Sequence, residues 1–237
     1  MNRTEEFLAE IIDVITSKYD KQAILRGGMV LRILGCERFT NDVDYVFVPF
    51  ASKKEIVEGL VKTLKEMPGV SVSHSMHSTC LRVVLKRGQV SAQVEAKVAM
   101  EMPIAVLSNS GLAGNYGLQP RLLAVVDHEV ALADKMAAWN ERRLMRDLYD
   151  IWFYLRMGVR PDTATLEKRL LKPSYSRSVN KNSYFMGTSK DDFYDFLLES
   201  VKDLKDETYI RGLSDYLPLE DIAGLAMRVR AEVAKLG

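Results

Sequence analysis

The sequence predicts an α+β protein, with a sheet flanked by helices in its first part and an all-helical C-terminal domain after it. Three observations carry this reading. Residues 4–18 and 52–66 repeat apolar side chains at helical spacing, whereas several runs between and after them alternate with a period of two. From about residue 100 the composition shifts through a Gly- and Asn-rich stretch. Beyond that stretch every pattern is helical, at roughly 127–140, 145–157, 162–170, 190–204 and 219–235. The boundary therefore falls at 105/106, with an α/β domain over 1–105 and a helical domain over 106–237.

The first helix carries Phe7, Leu8, Ile11, Ile12 and Ile15, with Thr4 as its N-cap and acids in its first turn. "QAIL" is a short strand. Gly27-Gly28 then turn the chain into a short helix, "MVLRIL", which ends at Gly35. "NDVDYVFV" is a strand closed by Pro49; its alternation puts Val43, Tyr45 and Phe47 on one face and Asp42 and Asp44 on the other. In the helix over 52–66, Ile56, Leu60, Val61 and Leu64 point inward, and "MPG" stops it. Three strands follow, "VSVSH", "TCLRVVLKRG" and "QVSAQVEAKV". In the last, Val90, Ala92, Val94, Ala96 and Val98 share a face, and Glu95 is the only acid on the other. "NSGLAGNYGLQPR" reads as a loop, and so does "KPSYSRSVNKNSYFMG".

Composition excludes several classes. A chain of 237 residues, 47% hydrophobic and 27% charged, buries a core without staples. Two cysteines, Cys36 and Cys80, are too few for a disulfide scaffold and suggest a cytoplasmic setting. The acidic, amphipathic start has no apolar signal-peptide core, and no run is long enough to span a membrane. A net charge of +1 predicts no polyanion partner by bulk charge, though a local basic patch is compatible with it.

The chemistry centres on Asp42 and Asp44, which deliver two carboxylates to one spot. Glu95, on another strand, is the candidate third ligand by strand parity, with Glu101 as the fallback. Three hard oxygen ligands suit Mg²⁺ or Mn²⁺. A glycine turn opening a helix offers backbone N–H groups to a triphosphate, and Arg26, Arg32 and Arg38 flank it with phosphate-binding forks. Taken singly, Asp-x-Asp and Gly-Gly are common. Their order is what favours nucleotidyl transfer over a solvated strand face: strand, Gly-Gly, short helix, connector, Asp-x-Asp strand, then a later strand with one lone acid.

That order resembles the polymerase-β-type nucleotidyltransferase superfamily, and more closely the AbiEii/AbiGii toxin family. "LRGGMVLR" is similar to its glycine motif, "RFTNDVDY" to its Arg-Phe-(Ser/Thr)-x-Asp-hydrophobic-Asp motif, and "LADKMAAWNERRLMRDLYDIWFYL" to its second-domain signature. The resemblance implies a mixed sheet and a nucleoside triphosphate substrate. It implies Asp42 and Asp44 as metal-binding and catalytic residues, with Glu95, assigned by strand parity and not by a motif, completing the site, and Gly27, Gly28, Arg32, Arg38, Lys135 and Asp147 around the triphosphate. Lys135 would hold phosphate oxygens and Asp147 would orient it or meet the nucleotide, while Arg146 and Asp150 would brace the domain interface. The acceptor implied is RNA, such as the 3′ end of tRNA, and the partner a cognate antitoxin. The superfamily has Gly-Ser where this chain has Gly27-Gly28, so phosphate contact falls to backbone N–H groups and arginines. Two alternatives stay open: an inactive nucleotide- or protein-binding module of the same fold, and transfer to a small molecule, as in aminoglycoside-modifying relatives.

The remaining features read as structural. Lys135 and Arg146 stand eleven residues apart and align if one helix carries both. Leu148, Ile151, Trp152 and Leu155 form the apolar face beside Asp147 and Asp150. His74 and His77 fall on opposite strand faces, which argues against zinc. His128 stands near a helix start, and Cys36 and the methionines fill core. Lys168, Arg169, Lys172, Tyr175, Arg177 and Lys181 form a basic, aromatic-containing segment that suits either an RNA contact or a solvated loop.

Overall fold

Helix α1 (Arg3–Tyr19) buries Phe7, Leu8, Ile11, Ile12 and Ile15, the stripe its spacing predicts. The computed structural model describes residues 3–172 and 184–237. Thr4 lies inside this helix rather than at its cap. With α3 (Lys54–Lys65), which buries Ile56, Leu60, Val61 and Leu64, α1 packs on one face of a seven-stranded sheet. Each of these aliphatic side chains contributes about 1.5–3 kcal/mol by leaving water.

The strands are β1 (Ala23–Arg26), β2 (Asp42–Phe47), β3 (Ser71–Met76), β4 (Leu81–Arg87), β5 (Val90–Val98), β6 (Ile104–Ser108) and β7 (Leu122–Val126). Their order is β3-β4-β5-β2-β1-β7-β6. The sheet is mixed: β2 runs parallel to β5, and β1 parallel to β7, while the other neighbours are antiparallel. Leu25, Val43, Tyr45, Phe47, Val94 and Ala96 face the helices. Period-two alternation then sends Arg26, Asp42, Asp44, Gln93 and Glu95 to the opposite face. Ion pairs tie the sheet to α1: Arg87 is bidentate to Glu10 at 2.9 and 2.5 Å, and Arg121 reaches Asp13 at 2.5 Å.

The first compact unit extends to Asp127, and the second begins at His128. The expected boundary at 105/106 therefore shifts, because β6 and β7 belong to the sheet and α4 (Ser110–Asn115) lies between them. β7 sits inside the sheet beside β1, so "LLAVV" is a continuous apolar run without alternation. β6 is an edge strand whose Ile104 and Val106 are exposed.

The second unit is helical: α5 (His128–Arg142), α6 (Met145–Arg156), α7 (Thr163–Leu171), α8 (Lys190–Lys202), α9 (Asp206–Leu213), α10 (Leu219–Ile222) and α11 (Leu225–Val233). Trp139, Leu148, Ile151, Trp152, Phe193, Leu197 and Val229 are buried in it. The single helix expected over 219–235 is broken at Gly224, which takes φ 72°. The Asp206 carboxylate accepts from the N–H groups of Gly224 and Ala226 at 2.8 and 2.9 Å, capping α11. Those backbone bonds hold its carboxyl below the usual range. Tyr175, Arg177 and Lys181 of the basic segment lie outside the described residues.

Candidate active site

The turn that leads from β1 into the next helix is built around two glycines. Gly27 has φ 75° and ψ −150°, a region that in practice only glycine occupies. Space makes the same demand: a Cβ on Gly27 would sit 2.2 Å from Oδ2 of Asp44. On Gly28, the first residue of helix α2 (Gly28–Ile33), a Cβ would lie 2.8 Å from the Thr40 hydroxyl and 3.2 Å from an Arg38 guanidinium nitrogen. The glycine motif and the Asp-x-Asp motif, some fifteen residues apart in the chain, are thus pressed against each other.

The two aspartates lie side by side on the polar face of β2, both partly buried. The Thr40 hydroxyl donates to Oδ1 of Asp42 at 2.6 Å. Asp44 is the register partner of Arg26 on β1 and of Glu95 on β5. Glu95 therefore lies on the strand next to Asp44, on the face that strand parity assigns it. Glu95 is held through Oε1, which accepts from Arg82 Nη2 at 2.8 Å, Arg82 Nε at 3.2 Å and Gln93 Nε2 at 3.0 Å. In kind, the donors suit a hard divalent cation: Asp42 and Asp44 from one strand, Glu95 across from Asp44. Among the described residues, no three His, Cys, Asp or Glu side chains are gathered as a finished metal site.

The arginines divide. Arg38 is buried and donates to the Phe39 carbonyl at 3.1 Å, under the glycine turn. Arg32 donates to Glu5 at 2.6 Å and to the Cys36 carbonyl, bonding α2 to α1. Tyr116 completes that cluster by donating to Glu5 at 2.7 Å, and burial together with the Glu5 carboxylate pushes its hydroxyl up to about 12.

In the second unit, Lys135 on α5 meets Asp150 at 2.6 Å and Asp147 at 3.8 Å, both on α6. Arg142 binds both oxygens of Asp147, at 2.6 and 2.7 Å. The signature motif is therefore one charged cluster. The alignment of Lys135 with Arg146 along one helix does not form, because Arg143 at φ 55° breaks the chain between α5 and α6. Arg146 instead lies toward Tyr216, 3.5 Å from its hydroxyl. Arg143 stacks over Trp139 at 3.9 Å and Phe196 at 4.8 Å, and burial draws its guanidinium down to about 10.

Sequence reasoning passed over Thr40, Arg82, Gln93 and Arg142. Arg82 stands on the polar face of β4, and only the register of β4 against β5 brings it to Glu95, whereas Gln93 precedes Glu95 by two residues on the same strand and shares its face by alternation.

The sheet thus brings Asp44 against the Gly27 turn, with Asp42 on the same strand face and Glu95 across from Asp44. The sequence model of the AbiEii nucleotidyl transferase toxin, of type IV toxin–antitoxin systems, matches residues 11–222. The chain belongs to this family: it is a nucleotidyltransferase toxin of the type IV class. Among solved structures it is similar to MenT4, a nucleotidyltransferase toxin from Mycobacterium tuberculosis, at 17% identity and a TM-score of 0.65, covering 98% of this chain and 82% of that one. It is also similar to JHP933 from Helicobacter pylori, at 13% identity and a TM-score of 0.54, covering 99% of this chain and 90% of that one. At these identities the likeness is one of fold. No curated protein matches the chain in sequence.

Proposed function

We propose that the chain transfers a nucleoside monophosphate from a nucleoside triphosphate to an RNA end, such as the 3′ end of tRNA, in a reaction dependent on Mg²⁺ or Mn²⁺. The observation that carries this reading is the contact of the Gly27 turn with Asp44, which joins a phosphate-binding backbone to a carboxylate pair. Asp42 and Asp44 hold the cation, with Glu95 as the third carboxylate. When bound, the cation offsets charge on the triphosphate and polarises its α-phosphate. The N–H groups of the Gly27-Gly28 turn hold phosphate oxygens, and Arg38 supports the turn from beneath. Lys135 is assigned to phosphate binding, with Asp150 at 2.6 Å as its nearest carboxylate and Asp147 further off at 3.8 Å; Arg32, engaged with Glu5, keeps α2 in place.

Glu95 takes the proton from the attacking hydroxyl. That oxygen forms a bond to the α-phosphorus, the bond to the bridging oxygen of the β-phosphate breaks, and pyrophosphate leaves. Triphosphate and RNA substrates place this work in the cytoplasm. Among the described residues no helix is long and apolar enough to cross a membrane. The regulating partner is a cognate antitoxin protein.

The acceptor is tested by incubating the protein with Mg²⁺, α-phosphate-labelled triphosphates and total RNA. Label in RNA of tRNA length is the expected result. A small labelled product would move the acceptor to the small-molecule class, and no transfer at all would overturn the proposal.

A further inference from the structure

Four residues form one row across the polar face of the sheet. Arg26 on β1 is the register partner of Asp44 on β2, Asp44 of Glu95 on β5, and Glu95 of Arg82 on β4. The row reads cation, carboxylate, carboxylate, cation. Neighbouring strands lie about 4.8 Å apart, so Asp44 and Glu95 present like charges side by side, an arrangement that opposes itself. Each carboxylate has an arginine as its register partner on its outer side.

The Arg82–Glu95 pair is not explained by stability. The two side chains are 42% and 25% exposed, and exposed pairs contribute little to folding. Its geometry is nevertheless specific. Both Arg82 contacts and the Gln93 amide converge on a single oxygen, Oε1. Three donors on one oxygen fix the rotation of the carboxylate and leave Oε2 as the oxygen available for chemistry.

Resting on the reading of Glu95 as the group that takes the hydroxyl proton, we infer that Arg82 is a positioning residue for the transfer reaction, orienting Glu95 with the help of Gln93. Arg82 itself touches no substrate and acts only through that carboxylate.

The test is a kinetic double-mutant cycle on Arg82→Gln, Glu95→Gln and the double variant, with Arg82→Lys as the conservative replacement. Transfer is read from α-phosphate-labelled triphosphates onto total RNA. Removing an orienting partner typically lowers activity about 10- to 100-fold. Arg82→Gln is accordingly expected to lower kcat about 10-fold while KM for the triphosphate stays within about twofold, and Arg82→Lys to recover part of the loss. In the Glu95→Gln background, adding Arg82→Gln is expected to change the rate by less than about twofold. Losses that multiply would overturn the inference, and so would a wild-type rate in Arg82→Gln beside a crippled Glu95→Gln. A wild-type rate in Glu95→Gln would instead remove the reading beneath it. A second readout needs no turnover: the Arg82 Nε–H NMR resonance is expected to shift and broaden in Glu95→Gln. An unchanged resonance would show that the pair does not form, and would overturn the inference by itself.

Discussion

Asp44 on β2 and Asp150 on α6 are both carboxylates with cations as neighbours, yet they sit in different surroundings. Asp42 and Asp44 are partly buried on a polar sheet face, and Asp44 is packed against a glycine turn. Asp147 and Asp150 have side chains only 1% and 0% exposed, and Lys135 and Arg142 close on them at 2.6 Å. A carboxylate enclosed in that way is committed to its partners. One that is only partly buried can take up a cation, while backbone N–H groups beside it can hold a phosphate. Burial, more than residue type, separates Asp147 and Asp150 from Asp42 and Asp44.

Chelation gives the sharpest break between the regions. Excess EDTA is expected to reduce nucleotide transfer to background while the circular dichroism spectrum and melting curve stay unchanged. The next largest effect falls on the second unit. Asp150→Ala leaves the Lys135 ammonium without its nearest carboxylate and is expected to destabilise the fold by about 3 kcal/mol, measured by urea denaturation. If Asp150→Ala melts like the wild type, the cluster is not the brace described here. Gly27→Ala brings both kinds of cost to the first unit. Strain at φ 75° and a Cβ against Asp44 should destabilise by about 2 kcal/mol and lower activity beyond the loss of folded protein.

Thr40→Val removes the 2.6 Å bond to Asp42 and is expected to lower kcat about 10-fold at unchanged stability. A still smaller effect concerns pH. The folded Asp206 carboxyl lies below its ordinary range, so the stability it contributes is present above that range and lost as pH falls through the folded value. Asp206→Asn should flatten this part of the acid-unfolding profile.

The sequence made the first hundred residues legible because their elements obey simple periods. The α1 stripe, the β2 alternation and the parity of β5 each follow from one face being buried. Parity alone assigned Glu95 to the polar face, and the β2–β5 register then set it across from Asp44. The next elements were hidden for physical reasons. β7 is enclosed within the sheet, so its apolar run has no period, and β6 is a short edge strand beside a Gly-rich segment. The break at Gly224 depends on Asp206, eighteen residues upstream, and no local pattern announces it. Partners set by register, such as Arg82 for Glu95, are equally invisible before the strands are paired.

The central claim is that the polar face bearing Asp42 and Asp44 performs the transfer. The direct measurement compares wild type with Asp44→Asn, at matched folded fraction, for transfer of label from α-phosphate-labelled triphosphate. The account predicts a loss of about 10³-fold or more with an unchanged melting curve. A folded Asp44→Asn protein that transfers label at the wild-type rate would contradict it.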